Sequence, residues 1–501
     1  MSLKSIAAKV FATIIDRKTK KWATDPVGSQ DRVFKYLLKT AGSTAFSKAH
    51  SFASIKTHQD FIKNVPVRDY EQLRPFVDRV VAGEQDILWP GKPLYFAKTS
   101  GTTSGAKYIP LTKESMPEHI KAARNAILSY IHETGNSQFV DGKMIFLQGS
   151  PEMEAKNGIQ LGRLSGIVAH YVPNYLQKNR LPSMKTNCME DWEEKVEAVI
   201  DETLPEKMSV ISGIPSWVQM YFERIVQRTG KRVGEVFPDF NLFIYGGVNF
   251  EPYRAKFDQL IGRKVDSIEL FPASEGFFAY QDKQNEKGML LLLDAGIFYE
   301  FIPASQFQEE NAPRFTIGEV EIGINYVMII STSAGLWAYN IGDTIAFTNT
   351  SPYRVMVTGR IKHYISASGE HVIGKEVEEA MKAASNELQI IINEFTVAPQ
   401  LIPADNALPY HEWFVEFGHH PDLDLQQLSQ ALDLQMREQN AYYDDLITGK
   451  ILQPLKITSV PENGFKEYMK TIGKLGGQNK LPRLSNDRKM AEILEKIILE
   501  S

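Results

Sequence analysis

The sequence predicts an α/β protein, with a large N-terminal domain of β-sheets and flanking helices over residues 1–360 and a smaller α+β domain over residues 361–501. Three observations predict it. Short β-rich apolar runs recur through the first part of the chain, helical stretches lie between several of them, and the pattern changes after Gly359.

The opening segment MSLKSIAAKVFATIIDRKTKKW reads as an amphipathic helix of the mature fold. Lys9 and Asp16 interrupt its apolar stretch and no small-residue cleavage site follows. The spacing of Val33, Tyr36, Leu37 and Leu38, then Phe52 and Ile55, predicts further helix, with Pro66 and Pro75 as breakers. Strand-like runs follow at Met144 to Leu147, Ser209 to Ile211, Leu242 to Tyr245, Ser267 to Leu270, Met289 to Leu293 and Tyr326 to Ile330. Helical stretches at Glu118 to Ile131, Trp192 to Ile200 and Ser216 to Arg228 separate several of them. In the smaller domain a short strand at Tyr364 to Ser366 precedes a charged helix around Lys375 to Lys382, then strands at Ile390 to Val397 and Trp413 to Phe417.

Composition bounds the function. Hydrophobic residues make up 43% and charged residues 23%, the balance of a globular protein rather than a disordered one. A net charge of -5 argues against a broad basic surface for nucleic acid. Cys188 is the only cysteine, so no intrachain disulfide forms and a cytoplasmic setting is expected. The strongly apolar runs are far shorter than the roughly 20 residues that span a bilayer, so no membrane partner is expected. The expected partner is a small molecule.

Several runs end in Gly, Ser or Pro, and ligands of open α/β sheets bind beyond the carboxyl ends of strands. The segment from Lys98 to Lys107 is dense in Ser, Thr and Gly after the apolar Leu94-Tyr95-Phe96. Glycines free backbone N–H groups to face an anion, hydroxyls add donors and Lys107 adds a charge, which suits a polyphosphate; a plain Ser/Gly connector has the same composition. A Walker A loop is excluded because Ala106 stands where its second glycine belongs. Ser104 and Lys107 match an S-x-x-K pair, but the S-D-N and K-T-G companions are absent.

Glu275 follows a strand-like run and suits Mg²⁺ beside phosphate, or equally a turn or helix cap. Asp343, in Tyr339-Asn-Ile-Gly-Asp343 after Leu336-Trp337-Ala338, reads as a loop acid able to accept from both hydroxyls of a ribose, or as an Asx-turn. Gly359-Arg360-Ile-Lys362 sits where a hinge is placed.

The ordered set of the Ser/Thr/Gly loop, Tyr245-Gly246-Gly247, Ala273-Ser274-Glu275, Gly342-Asp343 and Gly359-Arg360 resembles the adenylate-forming superfamily, and within it the GH3 family of acyl-acid amido synthetases. The C-terminal Gly476-Gly-Gln-Asn-Lys480-Leu-Pro-Arg483 is similar to that family's closing Gln-x-Lys-x-Pro-Arg. The resemblance covers nearly the whole chain. It implies ATP-dependent activation of a small carboxylic acid as an acyl-adenylate, then acyl transfer to an amine such as an amino acid. A thiol acceptor such as CoA, or a non-catalytic binder of the same fold, are the alternatives.

By the same resemblance, Ser100, Thr102, Thr103 and Gly105 hold ATP phosphates with Lys107 beside them. Ser274 and Glu275 serve nucleotide and Mg²⁺, Tyr245, Gly246 and Gly247 lie near the adenine and acyl group, and Asp343 binds the ribose. Arg360 assists there, Lys362 takes the hinge position and Lys480 is the candidate catalytic lysine. The chain departs from the plant members at Tyr339 to Asp343 and at Ser368-Gly-Glu-His371. No structural metal is expected, since neither His363 with His371 nor His419 with His420 has a third ligand.

Overall fold

The computed structural model describes residues 2–99, 107–171, 178–189, 191–247, 250–361, 364–365, 372–403, 407–418, 424–448, 451–475 and 480–500. It divides into two compact units. The first holds Met1–Ile214, Val236–Gly247 and Val265–Met356; the second holds Pro215–Glu235, Val248–Lys264 and Val357–Ser501. The division is not linear along the chain, because two segments from its middle belong with the C-terminal part.

Helices open the first unit at Leu3–Ala23, Pro26–Ala41, His58–Asn64 and Tyr70–Val81. Pro75 does not break the last of these but lies inside it. An Asp69–Gln72 capping box satisfies its first N–H groups, and the buried Leu73, Val77 and Val80 hold it against the core. Those contacts outweigh the one backbone bond that proline removes.

The strands in chain order, the last of them running past Met356 into the second unit, are β1 Tyr95–Thr99, β2 Lys107–Leu111, β3 Lys143–Phe146, β4 Glu154–Lys156, β5 Ile159–Gly162, β6 Arg180–Leu181, β7 Met208–Ser212, β8 Leu242–Gly246, β9 Asp266–Ala273, β10 Gly276–Tyr280, β11 Met289–Leu291, β12 Ile297–Pro303, β13 Asn325–Thr332, β14 Tyr339–Thr350 and β15 Tyr353–Arg360. One sheet orders them β2-β1-β5-β4, and a larger one β12-β13-β14-β15-β11-β10-β9-β8-β7-β3-β6. From β6 to β9 neighbours run parallel, so the carboxyl ends of β3, β7, β8 and β9 share one edge. From β9 onward the sheet turns antiparallel through β10 and β11.

The runs read as strands from the sequence fall on β3, β7, β8, β9, β11 and β13, while β10, β12, β14 and β15 were not among them. In β12 the cause is Glu300, an acid in the middle of an otherwise apolar strand. It is fully buried and accepts from both arms of Arg314, at 2.9 and 2.6 Å, and bonds His58 at 2.7 Å.

A helix at Met116–Thr134 packs on the large sheet with Ala122, Ala126, Tyr130 and Ile131 in the core beside Val210, Leu242, Ile244 and Ile268. The same helix buries His119, whose Nδ1 has no hydrogen-bond partner among the described residues. Burial lowers its pKa from 6.5 to about 4. Above pH 6.5 the ring is neutral folded or unfolded and costs nothing; between there and about pH 4 only the unfolded chain gains the proton. Stability is therefore expected to fall across that window by roughly 3 kcal/mol. His119→Leu should remove that part of the acid sensitivity, measured as melting temperature against pH; an unchanged pH dependence would contradict it.

In the second unit β16 Tyr364–Ile365 pairs with β17 Val372–Ile373, and β18 Ile392–Gln400, β19 Tyr410–Phe417 and β20 Lys456–Val460 form a three-stranded sheet in that order. Helices Gly374–Glu387 and Leu425–Gln439 cover one face, closing a core of Val377, Met381, Trp413, Leu428, Leu432 and Met436. Helix Glu251–Ile261 packs on β18 and on Gly374–Glu387 in this unit.

Candidate active site

The parallel strands place two of the sequence-predicted motifs together. Strand β8 ends at Gly246, which lies opposite Leu270 of β9 in a parallel register. A side chain at Gly246 would sit 2.6 Å from the Leu270 carbonyl oxygen, so only glycine lets β8 and β9 stay this close. Gly247 follows with φ +87°, and Tyr245 is buried and stacked on Phe243 at 5.3 Å between ring centroids. Beyond Leu270, β9 continues three residues to Ala273 and then turns through Ser274 and Glu275 into β10. Gly276 pairs with Ala273, so Ser274 and Glu275 are the two central residues of a tight hairpin. Both are half-buried at the carboxyl edge that also holds Gly246 and Gly247.

Hairpin geometry differs from a strand-to-helix connection, and it explains the aromatic run after Glu275. Phe277, Phe278, Ala279 and Tyr280 are buried in the core on β10.

Asp343 lies within β14, not in a loop as its sequence setting suggested. On β13, Val327 pairs with Thr344 and Ile329 with Asn340, so β14 carries extra residues between these pairs and Asp343 is carried on a bulge. Gly342 supplies the left-handed backbone there with φ +86°, and its N–H donates to the Asn340 side chain at 2.8 Å. Asp343 is 8% exposed. Strands β15, β11 and β10 separate β14 from β9 in the ladder, so sheet pairing does not bring Asp343 beside Glu275.

Lys107 begins β2 opposite Thr99 of β1. Its ammonium stands 5.5 Å from the centre of the Tyr70 ring, and the Tyr70 hydroxyl accepts the N–H of Tyr108 at 2.8 Å. Ser100, Thr102, Thr103 and Gly105 lie outside the described residues, as do Lys362, His363, His371, His419 and His420.

The remaining two candidates belong to the second unit. Arg360 ends β15 and is exposed. Lys480 is exposed three residues before Arg483, which the fold holds tightly. The Val397 N–H donates to the Arg483 carbonyl and the Ser485 N–H to the Val397 carbonyl, both at 2.9 Å, adding this segment to the edge of β18. The Arg483 guanidinium meets Glu394, bonds Glu378 at 3.3 Å and the Tyr253 hydroxyl at 2.8 Å, and lies 4.6 Å from the Phe395 ring centre. The Arg483 end of the closing motif is thus an anchor, and Lys480 is carried on it.

Sequence reading missed Lys195. It is 4% exposed at the carboxyl edge of β3, donating to the carbonyl oxygens of Gln148 at 3.2 Å and Asn187 at 2.7 Å. Burial lowers its pKa to about 8. The signal was present: Lys195 lies four residues before the buried Val199, on the inward face of its helix.

Among the described residues no group of three or more His, Cys, Asp or Glu side chains gathers to hold a metal. Glu275 at a hairpin tip fits an ion whose other oxygens come from nucleotide phosphates and water.

The fold of this chain is the adenylate-forming fold. It matches a 2-hydroxyisobutyryl-CoA ligase in the postadenylation state, in complex with 2-HIB-AMP, at a TM-score of 0.60 and 13% identity, over 96% of this chain and 93% of that one. Within that class the chain belongs to the GH3 family: the GH3 N-terminal domain matches residues 16–183, the central domain 290–360 and the C-terminal domain 375–489. The GH3.15 acyl acid amido synthetase in complex with 2,4-DB matches at a TM-score of 0.79 and 17% identity, covering 97% of this chain and 96% of that one. Among curated relatives, a jasmonoyl–L-amino acid synthetase of Oryza sativa subsp. japonica is 22% identical over 95% of this chain and 96% of its own. An indole-3-acetic acid-amido synthetase of Arabidopsis thaliana is 20% identical over 94% and 91%.

Proposed function

We propose that this protein activates a small carboxylic acid with ATP, releasing pyrophosphate, and transfers the acyl group from the resulting acyl-adenylate to an amine such as an amino acid. One observation carries the reading. In a chain of the GH3 family, the glycines at the end of β8 and the Ser274–Glu275 hairpin stand on one carboxyl edge, where a nucleotide can approach backbone N–H groups. The names of the relatives, a jasmonoyl–L-amino acid synthetase and an indole-3-acetic acid-amido synthetase, supply the substrate class.

In this reading the acid's carboxylate oxygen attacks the α-phosphorus and pyrophosphate leaves; the amine then attacks the acyl carbon and AMP leaves. Gly246 and Gly247 admit the nucleotide close to the backbone, Ser274 and Glu275 orient its phosphates, and Asp343 accepts from the ribose hydroxyls. Lys107 and the 100–106 segment, with Ser100, Thr102, Thr103 and Gly105, neutralise phosphate charge. Mg²⁺ held through Glu275 and phosphate oxygens would add charge neutralisation when bound. Lys480 reaches the reacting phosphate, Arg360 assists at the ribose, and the 360–363 region around Lys362 serves as the hinge between residues 1–360 and 361–501. A cytoplasmic setting goes with soluble substrates of this kind.

The test is product mass. Purified protein given ATP, a panel of carboxylic acids, and either amino acids or CoA should yield the amide and AMP; a thioester with CoA and no amide would replace the amine by a thiol, and ATP binding without acid-dependent pyrophosphate release would remove the catalytic reading.

A further inference from the structure

The first helix, Leu3–Ala23, has two apolar faces. One is spent on the fold: Ala12 and Ile15 are buried in the core with Ala122 and Ala126 of the Met116–Thr134 helix, on which this helix packs. The other faces solvent. Leu3 is 86% exposed, Ile6 49%, Val10 59% and Ile14 43%, and spacings of three and four residues align them along one side of the helix. At 100° per residue this line lies opposite Ala12 and Ser5, and Phe11, 40% exposed, widens it. A surface helix normally turns polar residues outward, so this apolar line is unaccounted for by folding.

Charge says what covers it. Lys4, Lys9, Arg17, Lys18, Lys20 and Lys21 face a single acid, Asp16, giving the helix a formal charge of +5 in a chain of net -5, so all the rest sums to -10. Asp16 is itself bonded to Lys20 at 2.8 Å and to His132 at 3.3 Å, and Arg124 stands 5.3 Å over the Phe11 ring. Cations therefore flank and end the apolar line on a molecule that is otherwise acidic. A second copy would bring the same positive face against it and be repelled.

We infer that the outward face of this helix lies on an anionic lipid surface, with Leu3, Ile6, Val10, Phe11 and Ile14 in the acyl boundary and the lysines at the headgroups. No described helix is long and apolar enough to cross a membrane, and this one need not. The expectation of no membrane partner rested on spanning length, which does not bear on a helix lying flat. The inference is independent of the reaction proposed above.

Flotation of the intact protein with vesicles tests it. Binding is expected to vesicles of phosphatidylcholine mixed with phosphatidylglycerol, not to phosphatidylcholine alone, and to weaken at high salt. The double variant Val10→Glu with Ile14→Glu should lower binding more than about tenfold while leaving the melting temperature unchanged, because both side chains are exposed. Lys18→Glu with Lys21→Glu should abolish the preference for the anionic lipid. Absence of binding to the anionic vesicles, or equal binding by the Val10→Glu, Ile14→Glu variant, would overturn the inference. A doubled solution mass that this variant restores to the monomer would overturn it too, by assigning the face to a second copy.

Discussion

Replacing Glu275 by Gln is expected to lower acid-dependent ATP–pyrophosphate exchange by a factor on the order of 10² to 10³, the cost of removing the one preorganised charged contact to the reacting phosphate that we propose for it. The hairpin makes this a clean experiment. Ser274 and Glu275 are the turn itself, fixed by the Ala273–Gly276 pair, with the fully buried β10 behind them. Gln keeps the size and removes the charge, so the melting temperature should hold while exchange falls. Asp343→Asn is expected to act differently, raising the KM for ATP more than it lowers kcat, since the ribose contact proposed for it would be made equally in ground and transition states. Undiminished exchange in Glu275→Gln would remove this carboxylate from the chemistry.

The second large effect is on stability. Glu300→Ala is expected to destabilise the first unit by about 3 to 5 kcal/mol, because it leaves the buried Arg314 guanidinium without its counter-charge. Glu300 is fully buried in β12, Arg314 also donates to the Val65 carbonyl at 2.6 Å, and His58 completes the cluster. Replacing both partners with apolar residues, Glu300→Leu with Arg314→Met, should cost much less than the single change, and urea unfolding separates the two outcomes. Burial alone would raise the Glu300 pKa, but Arg314 and His58 outweigh it and hold the carboxyl below its usual 4.5. A depressed carboxylate stabilises above its unfolded pKa and loses that contribution as pH falls through the folded value. Its loss therefore begins below pH 4.5, after the His119 window has opened at 6.5. If the single and double variants unfold at the same urea concentration, the cluster is not the charge pair described.

Much of the fold was legible because parallel strands buried on both faces read as unbroken apolar runs, as in β8 with Leu242, Phe243, Ile244 and Tyr245. The antiparallel half was legible only in part: β11 and β13 read as apolar runs, but β12 carries a polar interruption whose partners are distant in sequence, Glu300 with Arg314 and His58. Asp343 was legible as a candidate but not as a bulge, since the register of β14 against β13 depends on pairing that one strand's sequence does not encode. Lys195 went unnoticed because charge is read as exposure, although its helical phase with Val199 placed it inside. The exposed line on the first helix was read as ordinary amphipathicity; only the packing of the opposite face on Met116–Thr134 reveals that it has two apolar sides.

The central claim is that the acid becomes an acyl-adenylate before the acyl group moves. The direct measurement uses an acid labelled with ¹⁸O in both carboxylate oxygens, a single turnover with ATP and an amino acid, and mass analysis of the nucleotide. The carboxylate oxygen that attacks the α-phosphorus stays with AMP when the amine displaces it, so AMP carrying one ¹⁸O is the result expected. Unlabelled AMP, or label found in inorganic phosphate alongside ADP, would contradict the account.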